Sequence, residues 1–212
     1  MNKSFLYLLY QYTGVVYRFV LRFFHHTITW YKMKCLCGEF HNFYTSGIPF
    51  IEVSRKKNGN IKIGKNFSMN NGMSNNQIGF GNTPCVLSVT NGNIIIEDNV
   101  GISQTALIAY NANIFIGNYT IIGGGVKIYT TDFHPVNYLQ RRNYESNILN
   151  MLCKDVNIGH DCFIGAGSIV LKGVTIGNNT IIGAGSIVTQ SIPSNCIAAG
   201  NPCKVIRHLV VE

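Results

Sequence analysis

An aliphatic residue recurs at every sixth position in the second half of the chain. The series runs through Ile158, Ile164, Val170, Ile176, Ile182 and Val188 without a break. This period matches neither the 3.6-residue turn of an α-helix nor the two-residue alternation of a strand. A fixed short period indicates a solenoid, in which each repeat packs on the next one.

The residue after each aliphatic adds a longer period. Glycine occupies this position in two hexads of three, as the series Gly159, Gly165, Leu171, Gly177, Gly183, Thr189 shows. Three hexads per coil predict a prism with three flat faces and a corner after each short strand. We expect the aliphatic residues to form an internal column, and the corner glycines to supply positive φ angles.

The residue four positions after each aliphatic is small or β-branched, as a crowded inner corner requires. These residues are Cys162, Ser168, Val174, Thr180 and Ser186. The same register is expected upstream at Ile96, Ile102 and Ile108, slips by two residues, and resumes at Ile116, Ile122 and Ile128. A degenerate earlier coil is expected at Ile63 and Met69. A sandwich of evenly spaced strands would instead need turn signals every eight to twelve residues.

The composition fits one domain that associates with copies of itself. The chain has 212 residues, of which 46% are hydrophobic and only 12% charged, and its net charge is +8. Surfaces with so few charges commonly become oligomer contacts, and the positive charge suits an anionic ligand or a membrane surface. No recognition-helix pattern favours nucleic acid.

The cysteines favour a reducing compartment. There are seven, an odd number without a CxxC pair, which indicates free thiols in a cytoplasmic protein. Two spaced pairs of ligands would be expected for structural zinc, so we predict no metal site.

The N-terminal segment differs from the repeats. Residues 1–34 contain ten aromatic and five basic residues, and no acidic residue precedes Glu39. One interpretation is a helical cap over the open end of the solenoid. The other is an interfacial helix on the inner membrane face, with Arg18 and Arg22 near lipid phosphates; a spanning helix is not expected. We divide the chain into a cap (1–55), a β-helix (56–193) with a protruding loop (130–154), and a C-terminal segment (194–212).

The protruding loop carries the candidate catalytic residue. It begins with Thr130-Thr131-Asp132-Phe133-His134-Pro135, where the proline restricts the residue before it. A neutral imidazole at His134 would accept a proton from a hydroxyl or an amine near pH 7. A lone loop histidine is more often an ordinary surface residue, and His160 is interpreted in that way.

Three features together resemble the hexapeptide-repeat acyltransferases. They are the hexads from about Ile94 to Pro193, the His134-Pro135 loop, and the ending Ala198-Ala199-Gly200-Asn201-Pro202-Cys203-Lys204-Val205-Ile206-Arg207. The chain is most similar to the branch of galactoside, maltose, nodulation-factor and surface-polysaccharide O-acetyltransferases. The resemblance implies a mainly β fold, a left-handed parallel β-helix with a helical N-terminal segment and a short C-terminal helix.

The resemblance also implies acetyl transfer from acetyl-CoA in a homotrimer, with each active site between two neighbouring prisms. His134 matches the family's general base, and Ser103 stands where the sugar acetyltransferases have an asparagine. The CoA contacts map onto Ala166, Ala184 and Thr189, and the phosphate contacts onto Lys204 and Arg207. Gln190 replaces a lysine that is common in the family, so we expect the CoA phosphates to be bound less tightly.

The leading hypothesis is therefore a cytoplasmic O-acetyltransferase that modifies a sugar in surface polysaccharide biosynthesis. For residues 1–34, a cap over the solenoid and a peripheral contact with the inner membrane both stay open. Three alternatives stay open: an N-acetyltransferase of a nucleotide-linked amino sugar, an antibiotic acetyltransferase, and a trimeric scaffold without catalysis. Binding of acetyl-CoA separates the scaffold from the enzymes.

Overall fold

A computed structural model describes residues 3–54, 58–72, 76, 78 and 81–210 of the chain. The helices are α1 (Lys3–Leu36), α2 (Tyr138–Arg142) and α3 (Tyr144–Leu149). In chain order the strands are β1 (Glu39–Phe40), β2 (Phe43–Ser46), β3 (Phe50–Ser54), β4 (Asn60–Ile63), β5 (Phe67–Asn70), β6 (Val86–Thr90), β7 (Asn93–Ile96), β8 (Gly101–Ser103), β9 (Ala106–Tyr110), β10 (Ile114–Ile116), β11 (Ile121–Ile122), β12 (Lys127–Tyr129), β13 (Val156–Ile158), β14 (Phe163–Ile164), β15 (Ile169–Val170), β16 (Thr175–Ile176), β17 (Ile181–Ile182), β18 (Ile187–Val188), β19 (Cys196–Gly200) and β20 (Cys203–His208).

The strands form the three faces of a prism. Face A has the order β1-β4-β7-β10-β13-β16, face B has β2-β5-β8-β11-β14-β17-β19-β20, and face C has β3-β6-β9-β12-β15-β18. All neighbours are parallel except β19 and β20. From β1 to β18, consecutive strands thus take faces A, B and C in turn, which confirms the predicted three-faced coil.

The core consists of the predicted columns of aliphatic residues. On face B, Ile102 pairs with Ile122, Ile122 with Ile164, and Ile164 with Ile182, and all are buried. The predicted register is wrong at Ile108, because Leu107 is the residue that pairs with Ile128 and faces the core. The turn before β9 is one residue shorter than its counterparts, and it passes through Gln104 at a φ of 46°.

The corner glycines do not supply positive φ angles as we expected. Left-handed backbone is found instead at other corner residues, including Gly167 and Gly185. Gly165 is required because the next coil stacks too closely on it: a Cβ there would lie 2.4 Å from the Ala184 nitrogen. A Cβ added at Gly159 would likewise lie 2.8 Å from the backbone nitrogen of Asn178. The small inner residues of the hexads are buried, as predicted.

The C-terminal part of α1 closes the first end of the prism. Met33 is fully buried in the core, and Lys32 Nζ donates to the Pro49 carbonyl over 3.1 Å. The first coil begins at Glu39, so strands β1–β3 belong to the prism although they lie within the segment 1–55 that we assigned to the cap. Across the described residues, no helix combines the length and hydropathy needed to cross a bilayer.

The other end of the prism is closed by a hairpin and not by the short C-terminal helix that we expected. Residues 203–208 form β20, which runs antiparallel to β19. The turn between these strands contains Gly200 at a φ of 105° followed by Asn201 and Pro202. β-branched Val205 and Ile206 favour the extended backbone over a helix.

Candidate active site

The candidate base lies on the loop between face C and face A. His134 is exposed, and Asn147 Oδ1 lies 3.0 Å from its Nδ1. Asn147 belongs to α3, whose N-terminus is capped by the Asn143 side chain. In the tautomer in which Nδ1 donates to this amide oxygen, Nε2 carries a lone pair that can accept a proton. Neither Asp132 nor Glu145 forms this contact with the ring.

The base of the loop is tied firmly to the prism. Thr131 pairs with Cys153 in an antiparallel bridge, and Lys172 Nζ lies 2.7 Å from Asp132 Oδ1. Phe133 adopts a φ of 63° and its ring packs edge-on against Tyr129. Burial raises the pKa of the Tyr129 phenol. Positive φ is unfavourable for a residue other than glycine, so the surrounding contacts must hold Phe133 in this conformation next to the candidate base.

Ser103 lies at a different corner, between face B and face C. Its hydroxyl accepts a hydrogen bond of 3.1 Å from Asn70 Nδ2, and Asn70 is its register partner in the preceding coil. The serine oxygen is thus used as an acceptor, which leaves its proton free to donate outward. Sequence reasoning missed Asn70, although the residue after Met69 in the hexad register was the place to find it.

Two of the predicted CoA contacts stack at this same B–C corner. Ala166 is half-buried and Ala184 is exposed, and the Gly185 nitrogen donates to the Ala166 carbonyl over 2.8 Å. A groove of about 360 Å³ opens beside them, lined mainly by apolar side chains and by the corner glycines Gly125 and Gly167. The small side chains leave room for an extended chain to lie along the corner.

The hairpin places two basic side chains on one outer face. Lys204 pairs with Ala199, and Arg207 pairs with Ile197, which shares its side of β19 with Ala199. Residues directly opposite each other in a ladder share a face, so Lys204 and Arg207 both lie on the outside. Because they are three residues apart, regular alternation would separate them; the irregularity between Ile197 and Ala198 brings them together.

The predicted site residues therefore divide between two corners of one prism. Ser103, Ala166, Ala184 and Lys204 follow the B–C corner, and Arg207 lies further along face B. His134 and Thr189 follow strands of face C, at the C–A corner. A single chain does not bring the histidine and the serine together.

The remaining reactive groups do not form a second centre within the described part of the chain. No cluster of three or more His, Cys, Asp or Glu side chains is placed to hold a metal ion there. None of the seven cysteines forms a disulfide there, and Cys162 is buried at its register position. Burial raises the pKa of the Cys85 thiol to about 12, so this thiol stays protonated.

Comparison with known proteins agrees with this architecture. Residues 155–190 match the family described as bacterial transferase hexapeptide (six repeats). Galactoside O-acetyltransferase of Lactococcus lactis subsp. lactis (strain IL1403) is 44% identical over 100 residues, which cover 47% of this chain and 45% of that protein. The chain spans about half the length of the curated relatives that it matches.

Solved structures share the fold over most of the chain. A maltose O-acetyltransferase from Clostridium difficile 630 superposes with a TM-score of 0.51 at 27% identity, covering 84% of this chain and 73% of that one. AntD, an N-acyltransferase from Bacillus cereus solved with dTDP and 3-hydroxybutyryl-CoA, gives a TM-score of 0.64 at 21% identity, covering 84% and 86%. With its repeat, its three-faced prism and these relatives, the chain resembles the hexapeptide-repeat acyltransferases and shares their fold, the left-handed parallel β-helix.

Proposed function

We propose that the protein transfers an acetyl group from acetyl-CoA to a hydroxyl group of a sugar. The observation that carries this proposal is the exposed His134 ring, which is held by the Asn147 amide on a loop anchored to a hexapeptide prism. The relatives named for galactoside and maltose O-acetylation support a sugar as the acceptor.

In the proposed reaction, His134 Nε2 removes the proton from the sugar hydroxyl as its oxygen attacks the thioester carbonyl carbon. The resulting oxyanion accepts a hydrogen bond from the Ser103 hydroxyl, whose oxygen is already engaged by Asn70. The carbon–sulfur bond then breaks, and the imidazolium returns the proton to the CoA thiolate. No covalent enzyme intermediate is needed, because the acetyl carbon passes directly from sulfur to oxygen.

The two-corner arrangement supports a homotrimer with the active site between neighbouring prisms. The His134 loop is at the C–A corner of one prism and Ser103 at the B–C corner, so the C–A corner of one copy must face the B–C corner of the next. Thr189 lies on the side of the histidine, and it would contact the donor from the neighbouring copy. A closed ring of identical contacts satisfies this requirement in every subunit.

The donor would lie along the B–C corner. Ser103 in β8 and Ala199 in β19 are separated by four strand spacings, roughly 19 Å at 4.8 Å per strand. An extended pantetheine arm would follow Ala166 and Ala184 over this length, and its phosphates would reach Lys204 and Arg207 on the outer face of β20. The small corner residues and the two basic residues at the far end fit this donor.

We further propose that the acceptor belongs to a surface polysaccharide or its precursor and that the reaction takes place in the cytoplasm. Helix α1 is rich in apolar and basic side chains, which favours an acceptor near a membrane. The buried thiols, which form no disulfides, fit a reducing compartment. Acetylation of an amino group on a nucleotide-linked sugar is the competing outcome, since the same base can serve an amine.

Calorimetric titration with acetyl-CoA tests the donor half without knowledge of the acceptor. We expect micromolar binding at one site per chain. Release of the CoA thiol is then followed with galactosides, maltosides and nucleotide-linked amino sugars, for the wild type, H134A and the control H160A. His160 is also an exposed histidine but it contacts Asp161 at a corner, so H160A should keep activity.

Loss of turnover in H134A alone supports the proposal, and equal rates in H134A and the wild type overturn the role of His134. Absence of acetyl-CoA binding overturns the enzyme and favours the scaffold. If CoA is released with the nucleotide-linked amino sugars and not with the galactosides or maltosides, the reaction is N-acetylation and not O-acetylation.

A further inference from the structure

Helix α1 packs on the prism with a side that is mostly polar, apart from Met33 and Leu36 near its end, and leaves most of its aromatic side chains exposed. The polar and small residues recur at intervals of three and four, which places them on one side of the helix. They are Gln11, Gly14, Arg18, Arg22, His25, Thr29 and Lys32.

The contacts of α1 establish which side meets the prism. The Gly47 nitrogen donates to His25 Nδ1 over 3.0 Å, Thr29 is fully buried, and Lys32 reaches the Pro49 carbonyl. All three belong to the polar side. Arg22 lies at the start of this contact, with its guanidinium 5.9 Å from the Tyr44 ring centre.

The other side of α1 presents a continuous apolar surface to solvent. Its exposed members are Tyr12, Val16, Phe19, Val20, Phe23, Phe24 and Tyr31. From Tyr10 to Val20 every side chain is exposed apart from the half-buried Gly14. The nineteen residues before Arg22, about 28 Å of helix at 1.5 Å per residue, extend beyond the contact with the prism. An apolar surface of this extent marks an interaction site.

Charge identifies the partner that fits this surface. Residues 1–34 contain five lysines and arginines and no acidic residue. A second copy of the helix would carry the same charge and be repelled, whereas anionic lipids would be attracted to it. A basic polar side opposite a broad aromatic and aliphatic side is the pattern of helices that lie in a bilayer interface.

We propose that the apolar side of α1 lies in the interface of a membrane that contains anionic lipids, with the prism on the aqueous side. Because α1 closes the first coil, the prism stands with that end toward the bilayer. The coil that carries the His134 loop is three strand spacings further away, roughly 14 Å. This proposal does not depend on the acyltransferase reaction.

The test uses the full chain with vesicles of phosphatidylcholine alone or with phosphatidylglycerol. Binding is measured by flotation, for the wild type and for F19S/F23S, which removes two side chains that are 71% and 64% exposed. The matched control is V136S/L149S, which removes apolar side chains of 80% and 81% exposure from the protruding loop. Trp30, the single tryptophan and half-exposed on α1, reports insertion through quenching by brominated lipids.

We expect binding to the anionic vesicles, weaker binding at high salt, quenching of Trp30, and a loss of affinity of about tenfold to a hundredfold in F19S/F23S only. Equal binding of F19S/F23S and the wild type, absence of vesicle binding, or an unquenched Trp30 would overturn the proposal. Light scattering without lipid tests the other candidate partner of this surface, a second copy of the chain. If the wild type self-associates and F19S/F23S does not, the surface is assigned to a second copy. Acetyl-CoA titration of the same variants shows whether the donor site is intact, so a change in vesicle binding can be told apart from a failure of the catalytic proposal.

Discussion

Substitution of Gly165 by alanine tests whether close stacking, and not backbone conformation, requires glycine at the corners. The added Cβ would lie 2.4 Å from the Ala184 nitrogen and 2.7 Å from both the Ala184 Cα and the Ile182 oxygen. All three are backbone atoms, so relief requires two coils to separate. Overpacking of this kind costs about 1–3 kcal/mol, and we expect G165A near 3 kcal/mol because no side chain can move aside.

Gly185 provides the matched control. It has a φ of 70° and nothing lies within 4 Å of its added Cβ, so G185A introduces backbone strain without a clash. That strain is worth about 1–2 kcal/mol. For a chain of this size 1 kcal/mol shifts the melting temperature by about 2–4 °C, so we expect losses of roughly 6–12 °C for G165A and 2–8 °C for G185A.

Thermal unfolding followed by far-ultraviolet circular dichroism gives the comparison, with both variants measured at one protein concentration. The ranking is the decisive result. A G185A variant that is less stable than G165A would show that the clash at Gly165 costs less than the backbone strain at Gly185, and it would refute the stacking argument. An unchanged melting temperature in G165A would refute the geometry of the corner itself.

Three further predictions concern the site and a buried thiol. H134A should lower kcat by about two to four powers of ten and leave acetyl-CoA affinity unchanged in titration; a near-normal rate would remove it as the base. K204A/R207A should weaken CoA binding more than dephospho-CoA binding, and equal losses would place both residues away from the 3′-phosphate. Burial raises the pKa of the Cys85 thiol from its ordinary value of 9.0 to about 12, so the unfolded chain loses this proton first. Stability should therefore fall from about pH 9 upward, by about 1.4 kcal/mol per pH unit for this thiol, and C85A should reduce that slope in pH-dependent melts.

The period of the sequence was enough to predict the prism, because each hexad is a local unit that repeats the same contacts. The division of the CoA contacts between two corners was not predicted, although Ala184 follows the second hexad of its coil and Thr189 the third. The prediction of positive φ at the glycines was wrong, since sequence alone does not distinguish a strained backbone from a close approach between coils.

The parts that were missed depend on contacts distant in sequence. Asn147 is thirteen residues from His134, and its position follows from the fold of α2 and α3 and from the Lys172–Asp132 ion pair, which no local pattern records. The C-terminal hairpin was missed for a different reason. It follows the last regular hexad, so the repeat gives no information about β20, and the turn at Asn201 and Pro202 was the remaining local signal.

The antiparallel strand β20 affects whether another chain can add strands to the end of the prism. A stack of parallel strands exposes, at its last coil, the same hydrogen-bonding groups that added every earlier coil, and another chain could continue the stack. β20 runs against the direction of the repeat and so covers the face B edge with a strand that cannot template a further parallel coil. Together with α1 at the first coil, it leaves the face B sheet without a parallel edge at its last strand, so the repeat cannot be extended there by the pairing that built it.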